Sequence, residues 1–300
     1  MSVWLAISAC RNDKEVLRIL EQVHASAEQP FARILVVDSQ GSGNLDTGIQ
    51  SRNWNVLYRS YPYNLGSGAN LHERLRIAAE GGADFVYTLN HDASFDYRAF
   101  AHLFEAAKKI ENLGAAYPLG HISTVGLYNL TGTRELPLPA KLVSSPPRGP
   151  LLDAFWSSCN GALYSTAPVK RGIVPWDAMW MGWEDLEYGW RLRSQGYRQV
   201  IVCDAVFQDE YEYVSTRFGN LVDKPAWRTY YHIRNLILAV RRTRNRPLFY
   251  LVTMGRFLQE CAAILLVRPE KWRRFRLLWS GALDGLRGVE GQHSVAAPSL

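Results

Sequence analysis

The sequence predicts an α/β protein with a mostly parallel sheet flanked by helices and a helical C-terminal extension. Three observations support this fold class. Apolar runs alternate with segments of helical periodicity in the first third of the 300 residues, and such alternation is typical of parallel sheets covered on both faces. The composition, 47% hydrophobic and 21% charged, is that of a folded core. From residue 225 onward the periodicity is helical.

Short apolar runs predict the strands, and spacing and end signals predict the helices. Asn12 and Glu15 have the spacing of a capping box, and the Gly81-Gly82 pair ends a later helix. Residues 114–150 are less regular and include a Pro-rich loop. The expected strands are 3–10, 33–38, 56–58, 85–89 and 199–203, and the expected helices follow Asn12 and cover 70–79, 97–110 and 184–195.

The cysteines and the N-terminus predict a protein of the reducing cytoplasm. Four cysteines are scattered without a Cys-x-x-Cys pair, which disfavours a disulfide framework and a zinc site. The first residues, MSVWLAISACRND, lack the basic start of a signal peptide, and we interpret them as the first strand.

Positive charge is concentrated near the C-terminus. The net charge is +6, and ten basic and two acidic residues give +8 between Arg241 and Arg276. The apolar stretch 247–267 contains Arg256 and Glu260, which make a membrane span costly. The next segment, RPEKWRRFRLLW, has the composition of a helix lying at a membrane interface. We therefore expect peripheral contact with the inner face of the membrane. An ordinary surface helix is the alternative, and no nucleic-acid motif accompanies the charge.

Polar side chains follow three of the predicted strands at their carboxyl ends. They are Cys10-Arg11-Asn12-Asp13, Asp38-Ser39 and Asn90-His91-Asp92. The carboxyl ends of parallel strands meet in one crevice, where open sheets bind their ligands. Asp92 offers a carboxylate to a hard divalent cation, Mg²⁺ or Mn²⁺, which would hold a diphosphate. The alternative for Asp92 is capping of the helix that begins near Asp96.

A glycine-rich segment, NLGSGANLHERL, places Gly66, Gly68 and Asn70 ahead of a helix. Small residues at a helix start allow a ligand to approach closely. The match to a dinucleotide-binding fingerprint is poor, because Asn70 stands where glycine or alanine is expected. An ordinary helix cap is the alternative.

An acidic, tryptophan-rich segment begins the predicted helix 184–195. Glu184, Asp185 and Glu187 lie where the helix dipole favours carboxylates, so capping is one explanation. The approach to them is rich in tryptophan: Trp176, Trp180 and Trp183. Aromatic walls beside a carboxylate that takes a hydroxyl proton are the parts of a sugar-acceptor site.

Five motifs in order resemble those of inverting family 2 glycosyltransferases, most closely the rhamnosyltransferase and galactofuranosyltransferase type. They are VVDSQGSGN, NLGSGAN, GADFVYTLNHDA, GWEDLEYGWRLRSQGY and YYHIRNLIL. The resemblance covers about residues 3–235, and the tail LLWSGALDGLRGVEG is also similar to the ending of such proteins. It implies a GT-A fold with a Rossmann-like nucleotide-sugar half (1–113), an acceptor half (114–224) and a basic helical region (225–300).

The resemblance also implies a role for individual residues. Asp38 corresponds to the acid that binds the nucleotide base, and Asn90-His91-Asp92 to the Asp-x-Asp element, with Asp92 as metal ligand. Asp185 corresponds to the general base, and the role of the late Arg234-Asn235 pair stays open. The other implied site residues are Asn12, Gly66, Asn70 and Asn90 for the donor and Trp180, Trp183, Glu184 and Arg191 for the acceptor.

Two departures from the family pattern concern the metal. Asn90 replaces the first acid of the Asp-x-Asp element. The segment DAVFQDEYEY has no histidine where many relatives place a metal-binding one, so Gln208 or Asp209 would have to substitute.

The expected protein is an inverting glycosyltransferase that uses a UDP- or dTDP-linked sugar and a glycan or lipid-linked acceptor in cell-surface polysaccharide or glycolipid synthesis. Self-association into a homo-oligomer is left open. A nucleotidyltransferase would need a Gly-rich, basic loop after the first strand, where SACRND stands. A non-catalytic sugar-binding or scaffold member would lack Asp185 or Asp92, and both are present.

Overall fold

The structure is a computed structural model that describes residues 1–41, 43–208, 213–216, 219–222 and 224–294. The strands are β1 (Val3–Ala9), β2 (Arg33–Ser39), β3 (Val56–Tyr61), β4 (Phe85–Leu89), β5 (Leu113–Ile122), β6 (Leu127–Asn129), β7 (Leu142–Val143), β8 (Leu151–Asp153), β9 (Ala162–Ser165), β10 (Arg198–Gln208), β11 (Tyr213–Thr216) and β12 (Gly219–Val222). The helices are α1 (Asp13–Ala25), α2 (Asn44–Ser51), α3 (Gly66–Glu80), α4 (Tyr97–Ala107), α5 (Ala167–Lys170), α6 (Glu184–Ser194), α7 (Trp227–Thr243), α8 (Pro247–Leu266) and α9 (Lys271–Arg287).

The central sheet has the strand order β3-β2-β1-β4-β9-β5-β10-β8. Strands β1 to β4 are mutually parallel, as are β5 and β10, whereas β9 and β8 run antiparallel to their neighbours. The predicted mostly parallel sheet flanked by helices is therefore confirmed. Strand β9 joins the first four strands to the second half of the sheet. Because β1, β2 and β4 are parallel, their polar carboxyl ends lie at one edge of the sheet.

Two apolar layers cover the sheet. Helices α1, α2 and α4 bury Leu20, Ile49 and Phe100 on one face. Helices α3 and α6 bury Leu75 and Leu192 on the other face. The layer that contains α6 therefore positions the acidic helix start against the same sheet that carries the strand ends.

Several predicted elements differ from the observed ones. Helix α3 begins at Gly66, four residues before the predicted start, and α2 has no counterpart among the predicted elements. Strand β5 lies in the stretch predicted to be irregular. It was not predicted as a strand because Pro118 interrupts its apolar pattern. Proline cannot donate to the ladder, and β10 shows a register irregularity after Val202, which pairs with Pro118. The capping-box prediction at Asn12 is wrong, because its side chain makes no capping hydrogen bond.

The C-terminal helices pack on the rest of the chain and on each other. Helix α9 lies against α7 through two glycines. A Cβ atom on Gly281 would overlap the carbonyl oxygen of Tyr230, and one on Gly285 would lie 2.9 Å from that of Arg234. Beyond α9, the Gly291 amide donates to the Ala178 carbonyl at 2.9 Å. The hydrogen bond between Gly291 and Ala178 crosses the boundary predicted at residue 224.

Helix α8 has one buried face and one exposed apolar face. It buries four side chains, Phe249, Thr253, Phe257 and Ile264. In the part of the chain that the structure describes, this helix is long and apolar enough to cross a membrane by length and composition. Only 22% of its most apolar window is buried within the protein. The exposed large apolar residues of α8 and α9 are Leu248, Leu251, Met254, Leu258, Leu265, Leu266, Trp272, Trp279, Leu283 and Leu286.

Candidate active site

Asp38 lies fully buried near the end of β2. Its Oδ2 accepts a 2.6 Å hydrogen bond from the Tyr58 hydroxyl, whereas Oδ1 is buried with no hydrogen-bond partner. Burial raises the pKa of Asp38, and the hydrogen bond from Tyr58 partly offsets this rise. An unsatisfied buried oxygen is costly unless a ligand donor reaches it. Oδ1 of Asp38 is thus an unused acceptor at the end of β2.

Asn70 links α3 to the end of β2. Its amide donates to the Val37 carbonyl at 3.0 Å and to the Ser39 hydroxyl at 3.1 Å, and its Oδ1 is buried without a partner. Gly66 has φ +73°, and a Cβ there would overlap the Trp180 carbonyl oxygen. Because Gly66 has no side chain, the loop before α6 packs directly against it. The space that the sequence suggested for a ligand at this position is therefore filled by protein.

Asp92 follows β4 on an exposed turn. Its Oδ1 accepts from the Asn160 amide at 3.5 Å, the limit of a hydrogen bond. Helix α4 is capped by Asp96, whose side chain accepts from the backbone amides of Arg98 and Ala99 at 2.8 and 3.3 Å. The alternative that Asp92 caps this helix is therefore wrong, and its carboxylate is available to a ligand.

The residues around Asp92 suit a hard cation that a diphosphate completes. Within the described ranges no group of three or more His, Cys, Asp or Glu residues could hold a metal ion. Asn90 accepts at Oδ1 from the Ser8 hydroxyl at 3.2 Å, and its backbone amide donates to Asn160 Oδ1 at 2.9 Å. One carboxylate beside amide oxygens fits Mg²⁺ or Mn²⁺, which keep water and phosphate ligands.

The predicted substitutes for a metal-binding histidine have different outcomes. Gln208 ends β10, and its Oε1 lies 3.2 Å from His121 Nδ1 and accepts from the Ser123 hydroxyl at 2.9 Å. Its oxygen is therefore engaged at the end of β5. Asp209 lies outside the described residues.

Asp185 is the second residue of α6 and is partly buried. Burial and the neighbouring charge of Glu184 raise the pKa of Asp185 to about 7. A carboxylate with such a pKa ionises near neutral pH and is basic enough to accept a hydroxyl proton. The hydrogen bond that the Leu186 amide donates to Asp185 Oδ1 at 2.8 Å and the charge of Lys224 both oppose this rise in pKa.

The other two carboxylates of the segment have different surroundings. Glu184 is 7% exposed, its Oε2 has no hydrogen-bond partner, and burial raises its pKa. Glu187 is fully buried and pairs with Arg191 at 2.6 Å and Arg242 at 3.6 Å. Arg191 also donates to the Val174 carbonyl. Arg191 and Glu187 thus form a structural ion pair on the helix that carries Asp185.

The tryptophans fix the loop that leads into α6. Trp183 has φ +67°, and its indole N–H donates to the His232 carbonyl at 2.8 Å. Trp180 is 3% exposed and donates to the Asn64 carbonyl at 3.3 Å. Trp180 is therefore a buried support, whereas Trp183 is partly buried beside the candidate base.

Two residues whose role stayed open in the sequence support the same loop. The Asn235 amide donates to the carbonyls of Met181 and Gly182 at 2.8 and 2.9 Å. Arg234 is fully buried and donates from Nε to Asn235 Oδ1 at 2.9 Å and from Nη1 to the Gly291 carbonyl at 2.6 Å. The pair therefore links α7 and the C-terminal segment to the start of α6.

Sequence reasoning missed Arg74, a buried cation within the glycine-rich motif. It is 2% exposed and donates from Nη1 to the carbonyls of Ala6 and Leu89 at 3.3 and 3.2 Å. Its spacing after Asn70, one turn along α3, is the only sequence signal that places it beneath the strand ends.

No protein-family profile and no curated protein sequence matches the chain. Solved structures do match. Residues 1–349 of S. aureus TarS match with TM-score 0.57 and 14% identity, over 95% of this chain and 81% of that one. Mannosyltransferase PcManGT from Pyrobaculum calidifontis, in complex with GDP-Man and Mn²⁺, matches with TM-score 0.56 and 13% identity, over 96% of this chain and 88% of that one.

A third solved structure is GalNAc-T7 with UDP, GalNAc and Mn²⁺. It matches with TM-score 0.58 and 12% identity over 80% of this chain and 48% of that one. These likenesses establish the GT-A fold of this chain. At such identities they carry no residue roles.

Proposed function

We propose that the protein is an inverting glycosyltransferase that uses a nucleotide diphospho-sugar. The observation that carries the proposal is Asp185, a carboxylate with its pKa raised to about 7 at the start of α6 in a GT-A fold. The polar strand ends with Asp38 and Asp92 supply the donor side. Neighbours of the same fold were solved with UDP-GlcNAc and with GDP-Man, which supports a nucleotide-sugar donor here.

The proposed reaction is a single displacement. Asp185 takes the proton of an acceptor hydroxyl while that oxygen forms a bond to the anomeric carbon. The bond between the anomeric carbon and the diphosphate oxygen breaks, and nucleoside diphosphate leaves. Asp38, on β2, orients the nucleobase of the donor. Trp183 excludes water beside Asp185, the general base. Asp92 with Asn90 would hold Mg²⁺ or Mn²⁺, which neutralises diphosphate charge when bound.

The donor and acceptor classes follow from the motif resemblance. We infer transfer of a deoxyhexosyl or hexosyl group, of the rhamnosyl or galactofuranosyl kind, from a UDP- or dTDP-linked donor. The acceptor is a glycan or a lipid-linked glycan of cell-surface polysaccharide or glycolipid synthesis. The exposed apolar residues of α8 and α9, with the basic residues between Arg241 and Arg276, support peripheral membrane contact on the cytoplasmic side.

A donor panel tests the proposal. Each nucleotide-sugar is incubated with Mg²⁺, with Mn²⁺ or with EDTA, and thermal stability and released products are measured. We expect at least one donor to raise the melting temperature and to release nucleoside diphosphate with metal. Release of inorganic diphosphate from a nucleoside triphosphate and sugar phosphate would indicate a nucleotidyltransferase. Donor binding without turnover on any acceptor would favour the non-catalytic reading.

A further inference from the structure

Three basic side chains and one histidine of α7, α8 and the residues just before α7 interact with one another or with the carboxylates at the start of α6. We name them the α7–α8 cluster: Lys224, Arg228, His232 and Arg256. His232 Nε2 lies 3.4 Å from Arg256 Nη2. The positive charges of Lys224 and Arg256 both lower the pKa of His232, after the larger effect of burial. The cations of the cluster are therefore Lys224, Arg228 and Arg256, and His232 contributes a neutral ring beside Arg256.

The cluster adjoins the start of α6. The His232 ring lies 4.6 Å from the Trp183 ring, centroid to centroid, and the His232 carbonyl accepts from Trp183. The charge of Lys224 acts on both Asp185 and Glu184, and the charge of Arg228 acts on Glu184. A group bound at the cluster would thus lie next to the hydroxyl that Asp185 deprotonates.

Arg228 has unmet bonding capacity, whereas Arg256 contacts only neutral groups, Gln259 at 3.0 Å and His232 at 3.4 Å, in its described hydrogen bonds. Among the residues with described side chains, no carboxylate lies within 4.0 Å of Arg228 or Arg256. Glu260, whose charge acts on Arg256, pairs with Arg268 at 2.8 Å. Arg228 Nε is buried without a hydrogen-bond partner. The charges of Glu184 and Glu260 offset part of the positive charge of Arg228 and Arg256 from beyond ion-pair distance. A partly buried cation without a close anionic partner is unfavourable. Arginine donors in a fixed fork are suited to phosphate oxygens.

The same helix connects the cluster to the exposed apolar face. Arg256 turns inward to His232. Leu251, Met254 and Leu258 point outward and are 69%, 56% and 58% exposed. If the phosphate of a lipid binds at Arg256, the attached apolar chain would therefore extend along the outer side of α8.

We propose that the α7–α8 cluster binds the phosphate group of a lipid-linked acceptor, with the acceptor hydroxyl at Asp185 and the lipid chain along the outer face of α8. This inference rests on the proposed glycosyl transfer and specifies its acceptor. The recognised chemistry is a phosphate or diphosphate ester of a long apolar alcohol.

Farnesyl diphosphate, a soluble lipid diphosphate, serves as the probe. Its dissociation constant is measured by calorimetry in EDTA, so that a metal at Asp92 cannot capture the diphosphate. Inorganic pyrophosphate and farnesol are measured alongside. The variants are Arg256→Gln, Arg228→Gln and the charge-conserving Arg256→Lys. Arg52→Gln, an exposed arginine on the opposite helix layer, is the matched control.

We expect farnesyl diphosphate to bind at least about 10-fold more weakly to either glutamine variant, because each loses a charge-assisted bond. Arg256→Lys should lose less, and Arg52→Gln should match the unaltered protein. Binding that is the same in all variants would overturn the proposal. Pyrophosphate binding as tight as that of farnesyl diphosphate would overturn the lipid assignment and indicate a free-anion site. The donor panel on the unaltered protein tests glycosyl transfer separately.

Discussion

The surroundings of Asp185 favour its protonated form. The residue is therefore suited to act as a general base, but its ionised form lowers the stability of the fold. Asp185→Asn removes the proton acceptor while keeping the side chain's shape. We expect turnover to fall by roughly 10²–10⁴-fold and donor affinity to change little. Steady-state rates and donor titrations measure the two quantities. A near-normal rate would refute the assignment, and a smaller loss would move the role to Glu184.

The raised pKa of Asp185 also has a consequence for stability. Its folded pKa of about 7 lies above the ordinary aspartate value, so the folded state binds this proton more tightly than the unfolded state. The carboxylate therefore costs no stability below about pH 4, and the cost grows until about pH 7. We expect Asp185→Asn to be more stable than the unaltered protein by about 1–2 kcal/mol at pH 8.

Denaturant unfolding of both proteins at pH 4 and pH 8 measures this difference. The turnover of the unaltered protein should rise with pH through about 7, as the base ionises. Equal stability of the two proteins at pH 8 would contradict the raised pKa.

Asp92 and Asp96 lie four residues apart but have different roles, because Asp96 caps α4 and Asp92 does not. Asp92→Ala should leave folding stability unchanged and weaken donor binding only when metal is present. Asp96→Ala, the matched control, should cost about 1 kcal/mol of stability because it removes the cap of α4. Metal titrations of donor affinity and urea unfolding of both variants check this pair. A destabilised Asp92→Ala protein would argue against it.

Part of the candidate site follows from sequence because strand ends are local features. Asp38 and Asp92 each end an apolar run, and the topology of a parallel sheet brings them to one edge. The ion-pair partners of Glu187 and the hydrogen-bond partners of Asn235 could not be predicted from the sequence. Whether Glu187 meets Arg191 or a ligand depends on how α6 packs, and the bonds of Asn235 join residues more than 50 positions apart.

At the scale of elements, the loop before α6 is held by α7. Asn235→Ala removes hydrogen bonds to two carbonyls and leaves them buried, so we expect a loss of about 1–3 kcal/mol of stability. Turnover should fall as well, because the loop positions α6. Asn245→Ala, which removes one exposed hydrogen bond with Tyr250, is the control. Unchanged turnover in Asn235→Ala would show that the loop needs no such support.

Elements with regular patterns were predictable, and those with mixed signals were not. The strands β1, β2 and β4 have continuous apolar runs and lie within a residue of their predicted bounds. The start of α3 was missed because Gly66 and Gly68 are poor helix formers. They are tolerated there since each makes room for backbone of residues 176–180.

At the scale of the whole molecule, the outer side of α8 and α9 combines apolar exposure with positive charge. We expect the intact protein to sediment with vesicles that contain anionic lipid at low salt and to be released at high salt. Trp272 is 84% exposed, and Trp272→Ala should weaken binding by several-fold, whereas Tyr63→Ala, on an exposed loop elsewhere, should not. Protein that stays in the supernatant at low salt would assign this face to self-association or to solvent.

The hydrogen bonds of Gly291 make the geometry at Asp185 depend on residues that are remote from it in sequence. Arg234 donates to the Gly291 carbonyl, and the Gly291 amide donates to the Ala178 carbonyl in the loop before α6. A variant shortened before Gly291 would lose both bonds. We therefore expect the loop that leads to Asp185 to lose its fixed position, while strands β1 to β4, which these two bonds do not reach, keep theirs.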